Sequence, residues 1–228
     1  CSHGQQIAAT LILAGTANTE TVTVEAAAVR KARLQPVRAD SSAFALIRAV
    51  CRGVVPDDTS MLAIADLGAD QLTVVVHQGG QPRFIRTISN LGGESATLSL
   101  AEKLDIAPDD AEALKRGTGL NGPAPIIAPI AESTVFGGVT APEMVPMDLQ
   151  VATTVAVLNP WATTLIAEIR NSLDYFQATD PTTPIQSLTI TGRTSELDGM
   201  VDRLSTQLPI PVHRLDPLLG LGASRRVT

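Results

Sequence analysis

The chain has few of the residues that mark a metal centre or a disulfide scaffold. Its 228 residues include two cysteines, three histidines and 3% aromatic residues. Cys1 and Cys51 have no neighbour at metal-ligand or redox-motif spacing, which is typical of a protein in a reducing compartment. The three histidines are scattered along the chain and have no acidic or cysteine partner at short spacing, so a histidine-based metal enzyme is disfavoured.

Basic residues are also scarce. Lys and Arg number 17 against 23 Asp and Glu, which gives a net charge of −6, and no basic block could neutralise several neighbouring phosphates. We therefore expect no nucleic-acid partner. Residues 151–169 are the one stretch apolar enough to consider as a membrane span, but Pro160 and four threonines interrupt them, so we expect no span. The start lacks a basic segment and an initiator Met, which predicts a fragment or processed chain without a signal peptide.

What the chain does have is enough apolar sequence for a large core, with 44% hydrophobic and 18% charged residues. Its first part predicts a strand at 7–13, a helix at about 20–34, a strand at 36–39 and a helix from 42. Three strands at 61–65, 71–77 and 83–88, joined by tight turns, then predict an antiparallel meander.

The second half reads as helices followed by a short strand–helix–strand unit. Helices are predicted at about 93–104 and 108–116, followed by a long, weakly charged loop over 117–157. Asn159 and Pro160 predict the start of a further helix by acting as its cap and first position. The end of the chain predicts a strand at 187–191, a helix at about 195–207 and a strand at 211–213.

A carboxylate stands at the end of the first meander strand, before a glycine-containing turn. Asp66 is followed by Gly68 and Ala69, and Thr73 lies in the next strand. A glycine lets backbone amides approach a phosphate closely, and a nearby carboxylate can hold Mg²⁺ through water. An ordinary hairpin turn has the same composition, so both readings stay open.

Two further segments carry polar residues at positions suited to a ligand. Gly192, Arg193 and Thr194 lie where a strand turns into a helix, and Glu112 and Lys115 are three apart on one helix face. A simple connection explains the first segment equally well, and a solvated charge pair explains the second.

The order of these motifs resembles the PilM family of type IV pilus assembly proteins, which belongs to the actin-like ATPase superfamily and is related to FtsA. The resemblance runs from about residue 8 to residue 221. It includes the segments 66–73, 84–93, 111–115, 170–176, 191–200 and 208–217. It implies an α/β fold of the actin-like ATPase, ribonuclease H-like type, a mixed sheet flanked by helices. Residues 1–57 would be the end of the first lobe with a remnant of its small inserted subdomain, and residues 58–228 a complete second lobe.

The resemblance also implies a function. Such a chain would be a cytoplasmic scaffold of a pilus assembly or secretion platform that binds ATP and Mg²⁺ and docks the cytoplasmic tail of an inner-membrane protein of the PilN type. It would be at most a weak ATPase. Residue by residue, these positions match the family's second phosphate loop, nucleoside helix and adenosine loop: Asp66, Gly68, Ala69 and Thr73; Glu112 and Lys115; Gly192, Arg193 and Thr194. Asp66 would face the metal.

Two departures from the family pattern keep alternatives open. The family's first phosphate loop, of the type Asp-Ile-Gly-Ser-Ser-x-x-Lys, has no match in residues 1–50, so half of the phosphate cradle is absent from this chain. The adenosine loop is usually glycine-rich, whereas Arg193 and Thr194 follow Gly192 here. The alternatives are an ATP-dependent kinase or ATPase of the same superfold, and a nucleotide-free structural relative. Self-association is left open.

Overall fold

The computed structural model describes residues 19–37, 39–52, 59–122 and 149–215. The chain divides into two compact units, residues 1–45 and 46–228, and each is described by itself. The first contains helix α1 (Thr19–Lys31), which has Glu20 in its first turn and Arg30 and Lys31 in its last, as the helix dipole favours. Helix α2 (Ser42–Val50) crosses the division. The domain boundary near residue 57 stays a prediction.

Of the two strands predicted in the first unit, residues 7–13 lie outside the described part of the chain. The predicted strand at 36–39 is wrong, because residues 36, 37 and 39 are not in a strand. Pro36 has no amide proton to give to a ladder, and Val37 is 93% exposed, so no neighbouring strand covers it.

The second unit is built on a mixed sheet of five strands. They are β1 (Met61–Leu67), β2 (Gln71–Gln78), β3 (Gln81–Ser89), β4 (Ile185–Thr191) and β5 (Val212–Arg214), in the order β3-β2-β1-β4-β5. The predicted antiparallel meander is present as β1, β2 and β3. Strand β4 joins β1 in parallel, and β5 joins β4 in parallel. The central pair β1 and β4 therefore end at the same edge of the sheet.

Helices α3 (Gly93–Leu104), α4 (Pro108–Thr118), α5 (Leu149–Thr179) and α6 (Met200–Gln207) accompany this sheet. The core lies between one sheet face, which presents Ala63, Ala65, Val74 and Val76 among others, and the apolar stripe of α5. A smaller cluster joins α3 to α4, with Leu100 and Ala111 at its centre. Helix α4 begins at Pro108 and ends before Gly119 (φ +65°), close to the predicted limits.

Helix α5 starts earlier than predicted. Residues 123–148 of the predicted loop lie outside the described residues, but 149–157 are helical, and Pro160 lies inside the helix. The lost backbone hydrogen bond is tolerated because the surrounding turn is held by tertiary bonds. Trp161 Nε1 donates to Gly92 O at 3.2 Å, and Arg203 donates to Asn159 Oδ1 at 2.6 Å. Among the described helices, α5 is the one long and apolar enough to cross a membrane, and its buried stripe is the core just described.

The helix predicted at 195–207 is also wrong at its start. Residues Arg193–Glu196 form a short 3-10 helix, and α6 begins only at Met200. Gly199 separates the two with φ +80°, a left-handed conformation that glycine adopts without strain.

Candidate functional site

The turn between β1 and β2 is fixed by the start of α3. The backbone amides of Gly93, Glu94 and Gly92 donate to the carbonyls of Gly68, Ala69 and Asp70 at 3.0, 2.8 and 3.2 Å. A Cβ on Gly92 would overlap the carbonyl of Ala69, so this close approach requires glycine. The amides of Gly92, Gly93 and Glu94 are thus used internally, to hold the turn.

These bonds decide which way the turn presents its own amides. In a trans peptide the C=O and the following N–H point in opposite directions. Because the carbonyls of Gly68 and Ala69 point at α3, the amides of Ala69 and Asp70 point away from it. Neither amide donates to a backbone acceptor within the described ranges. Two neighbouring free amides of this kind form a concavity suited to an anion.

The end of β4 is clamped onto the same turn. Asp66 pairs with Thr191 across the parallel β1–β4 ladder. The next residue, Gly192, has φ +85°, and a Cβ there would overlap Asp66 Oδ1 and the carbonyl of Leu67. The hydroxyl of Thr194 then donates to Gly68 O at 2.9 Å. The two corners that the sequence marks separately therefore touch each other.

A cavity of about 500 Å³ opens beside these corners. The turn contributes Ala69, α3 and α4 contribute two walls, and the 3-10 segment contributes the third. The lining residues are Ala69, Gly93, Glu94, Thr97, Leu98, Pro108, Asp109, Glu112, Lys115, Arg116, Arg193, Thr194, Glu196 and Leu197. Four carboxylates and three cations line it, so its net charge is about −1.

Lys115 ties the two helical walls together. It is buried, and its ammonium donates to Gly93 O at 2.8 Å and to Thr97 Oγ1 at 2.7 Å, and pairs with Glu112 Oε2 at 2.5 Å. An ammonium group has three protons to donate. All three are engaged inside the protein, so Lys115 positions the walls and has no proton left for a ligand.

Glu112 is the hub of the same network. Its Oε2 also accepts from the Thr97 hydroxyl at 2.6 Å, and its Oε1 accepts from Arg116 Nε at 2.8 Å. Burial alone would raise the pKa of Glu112, but hydrogen bonds from Lys115, Thr97 and Arg116 outweigh burial and lower its pKa to about 2. Glu112 is thus ionised at neutral pH, and Oε1 keeps a lone pair that can accept one more hydrogen bond.

The predicted site residues divide into three groups by position. Ala69, Glu112, Lys115, Arg193 and Thr194 line the cavity. Gly68 does not line the cavity, but its carbonyl accepts a hydrogen bond from Thr194, which does. Gly192 does not line the cavity either and packs against Asp66 and Leu67 at the same corner. The third group, Asp66 and Thr73, is outside the lining; Thr73 is buried in the sheet, where its hydroxyl lies 3.4 Å from that of Thr87.

Asp66 is the residue that the sequence predicts to face a metal ion. It lies at the end of β1, and burial raises its pKa. Beside it, the hydroxyl of Thr191 is buried and has no hydrogen-bond partner among the residues described. No group of three or more His, Cys, Asp or Glu suited to a metal occurs in the described part of the chain. A Mg²⁺ ion here would be coordinated mainly by water molecules and by the phosphate oxygens of a bound nucleotide.

Sequence inspection missed the residues that connect the site. Gly93, Thr97 and Glu196 were not among the predicted site residues, although Thr97 bonds both Lys115 and Glu112. The one available signal was the Gly92-Gly93 pair ahead of α3, since adjacent glycines at a helix start indicate close backbone approach. Thr97 and Glu196 stand in ordinary helical contexts and gave no signal.

Superposition on solved structures identifies the fold class of the chain. It superposes on a solved PilM–PilN type IV pilus biogenesis complex with a TM-score of 0.65 at 20% identity, covering 88% of this chain and 48% of that one. It also superposes on MreB 5 of Spiroplasma citri bound to AMPPNP (TM-score 0.58, 13% identity, 88% and 60% covered) and on an archaeal actin homologue (0.52, 16%, 81% and 51%). The fold is therefore that of the actin-like proteins, and the chain spans about half to three-fifths of the lengths of these structures.

The family follows from the sequence profile. The family described as type IV pilus assembly protein PilM matches residues 4–135 and 145–228. The chain belongs to the PilM family. Among curated proteins, none matches it.

Proposed function

We propose that this chain is the cytoplasmic scaffold component of a type IV pilus assembly or secretion platform. Membership of the PilM family supports this role, and so does the fold it shares with a solved PilM–PilN complex. The partner would be an inner-membrane protein of the PilN type, whose cytoplasmic tail docks on the chain and holds it at the membrane. The chain works by binding and positioning partners rather than by turnover.

The second part of the proposal is that a nucleotide binds as a conformational ligand. The observation that carries it is that the turn with the two free amides borders a preformed cavity at Ala69. A lining with a net charge of about −1 repels a triphosphate but accepts the sugar and base of a nucleoside. The nucleoside would occupy the cavity, with a ribose hydroxyl donating to Glu112, and the phosphates would leave it beside the amides of Ala69 and Asp70.

The cavity residues suit the nucleoside of ATP better than the residues near the turn suit its Mg²⁺ ion. Leu98, which is 51% exposed, gives the cavity an apolar surface for a purine together with Pro108 and Leu197. For Mg²⁺ we assign Asp66, which would act through a bound water. The ion would supply charge neutralisation of the phosphates, and the protein residues would supply orientation. Without a first phosphate loop in residues 1–50, we expect weak binding to this chain.

One observation favours the nucleotide-free scaffold as a second candidate. Lys115, which the resemblance assigns to the ligand, is saturated by Gly93, Thr97 and Glu112. The cavity walls are therefore held without any ligand. In that case the corner at Gly192 serves only to join β4 to the turn.

Two measurements test the proposal separately. For docking, a labelled peptide of the cytoplasmic tail of the PilN-type protein from the same organism is titrated with the 228-residue chain by fluorescence anisotropy. A scrambled peptide is the control, and equal binding of both peptides would refute the docking role. For the ligand, ligand-observed NMR with ATP and Mg²⁺ is compared between the chain and its Leu98→Asp variant, in which a half-exposed apolar side chain of the lining is replaced by a negative charge that disfavours the nucleotide. Binding by neither would favour the nucleotide-free scaffold, and equal binding by both would refute the assignment of the nucleotide to this cavity.

A further inference from the structure

The wall of the cavity formed by the 3-10 segment carries two charged side chains that the internal network does not use. Arg193 and Glu196 are the first and last residues of the 3-10 helix, and both line the cavity. Neither has a hydrogen bond or an ion pair within the described ranges, in contrast to Glu112, Lys115 and Arg116.

Their spacing puts them side by side. In a 3-10 helix the side chains at i and i+3 eclipse each other, because the helix has three residues per turn. Arg193 and Glu196 therefore form one edge of the cavity, where the guanidinium N–H donors of Arg193 lie beside the carboxylate acceptors of Glu196. They do not close into an ion pair, so both remain available to a ligand that has an acceptor next to a donor.

The two residues between them hold this edge in place. Thr194 and Ser195 are buried; the Thr194 hydroxyl donates to Gly68 O at 2.9 Å, and the Ser195 hydroxyl donates to Gly192 O at 2.6 Å. The Ser195 amide also donates to Gly192 O, at 3.0 Å. The segment is thus anchored from behind, and its exposed side is preorganised.

We propose that Arg193 and Glu196 read the N7 and 6-amino edge of an adenine base, an inference that rests on the nucleotide binding proposed above. Adenine presents an N7 acceptor beside an N6 donor, which matches the guanidinium and the carboxylate in turn. Guanine presents two acceptors at this edge, N7 and O6, so the carboxylate of Glu196 would face O6 without a proton between them. The edge therefore selects adenine over guanine.

The base also has a surface to lie on. Leu98, Pro108 and Leu197 are the larger apolar members of the lining, and a purine placed against them would present its edge to the 3-10 segment. Arg193, which stands where the family has a glycine-rich loop, is then a specificity-determining residue rather than an obstruction.

The test uses analogues that each lack one atom group. Dissociation constants of ATP, 7-deaza-ATP, purine riboside triphosphate and GTP are measured by ligand-observed NMR on the 228-residue chain. Hydrogen bonds to charged groups give each missing contact about a tenfold loss. We expect 7-deaza-ATP, purine riboside triphosphate and GTP each to bind about tenfold more weakly than ATP.

Substitutions then test which residue is responsible for each loss of affinity. In Arg193→Met the difference between ATP and 7-deaza-ATP should vanish, and in Glu196→Gln the difference between ATP and purine riboside triphosphate should shrink several-fold. Arg214→Met and Glu102→Gln, both outside the cavity lining, are the matched controls and should keep every difference. Thermal melts verify that all four variants fold.

The outcomes separate the two proposals. ATP binding without discrimination among the analogues, or with discrimination that survives in Arg193→Met and Glu196→Gln, overturns the reading of the base edge and leaves nucleotide binding standing. Stronger binding of GTP than ATP overturns it as well. If none of the four nucleotides binds, both the base-edge proposal and the nucleotide-binding proposal are overturned.

Discussion

Replacing Lys115 by Met tests whether the internal network, rather than a ligand, holds the cavity walls. Met keeps most of the length of the buried stem and removes the three hydrogen bonds to Gly93 O, Thr97 Oγ1 and Glu112 Oε2. A hydrogen bond to a charged group contributes about 1.5–3 kcal/mol when it is fully buried. The side chain of Glu112 is 38% exposed and keeps Arg116, so water and Arg116 compensate part of the loss.

With that discount we expect the free energy of unfolding to fall by about 2–3 kcal/mol. For a chain of this length, 1 kcal/mol corresponds to about 2–4 °C, so the thermal midpoint should fall by about 5–10 °C. Urea and thermal unfolding followed by circular dichroism measure both quantities. Lys103→Met, at an exposed position on α3, is the matched control and should stay within about 0.5 kcal/mol of the unmodified chain.

A double-mutant cycle with Glu112→Gln completes the test. If the network acts as a unit, the double variant loses less stability than the two single variants together, because the second substitution removes a bond that is already broken. Burial of an ion pair also carries a desolvation penalty, which an apolar replacement would relieve. Lys115→Met with unchanged or increased stability would therefore refute the reasoning, and strict additivity would show that the bonds do not cooperate.

Three further substitutions or conditions are tested by the same melts. Gly192→Ala should destabilise the chain by about 3 kcal/mol, because φ is +85° and a Cβ overlaps Asp66, whereas Gly117→Ala, which meets no atom within 4 Å, should be neutral or slightly stabilising; equal effects would contradict this. Because the pKa of Glu112 is lowered from 4.5 to about 2, its stabilisation is complete above about pH 4.5 and disappears as the pH falls towards 2. Melts from pH 6 to 2 should therefore show a steeper acid decline for the unmodified chain than for Glu112→Gln, and parallel curves would count against the network. Thr194→Val should cost about 1 kcal/mol by removing one hydrogen bond, and an unchanged midpoint would show that the clamp is not stabilising.

Local patterns in the sequence were sufficient for much of the second unit. The meander was predictable because β1 to β3 alternate with short glycine-containing turns, and α4 because Pro108 marks its start and Lys115 and Arg116 its last turn. Its end was predicted at Gly117, but the helix continues to Thr118 and is capped by Gly119. The resemblance to the PilM family correctly indicated the actin-like fold. These features depend on neighbours along the chain.

The errors arose where tertiary contacts overrode local preference. Asn159-Pro160 has the composition of a helix start, yet α5 continues through it because Trp161 and Arg203 bond across to other elements. The break between the 3-10 segment and α6 at Gly199 also had no clear local signal. Within the site, the saturation of Lys115 could not be predicted, since its three acceptors come from residues 93, 97 and 112.

The placement of β4 beside β1 has a consequence for how the chain acquires its cavity. Strand β1 and the turn that follows it are synthesised before the wall carrying Arg193 and Glu196, which comes more than 100 residues later. Contacts of such high sequence separation form late, because a long loop must close first. A nascent chain that has emerged only as far as α5 has the turn but no cavity, so ligand capture on the ribosome must wait for the last strands.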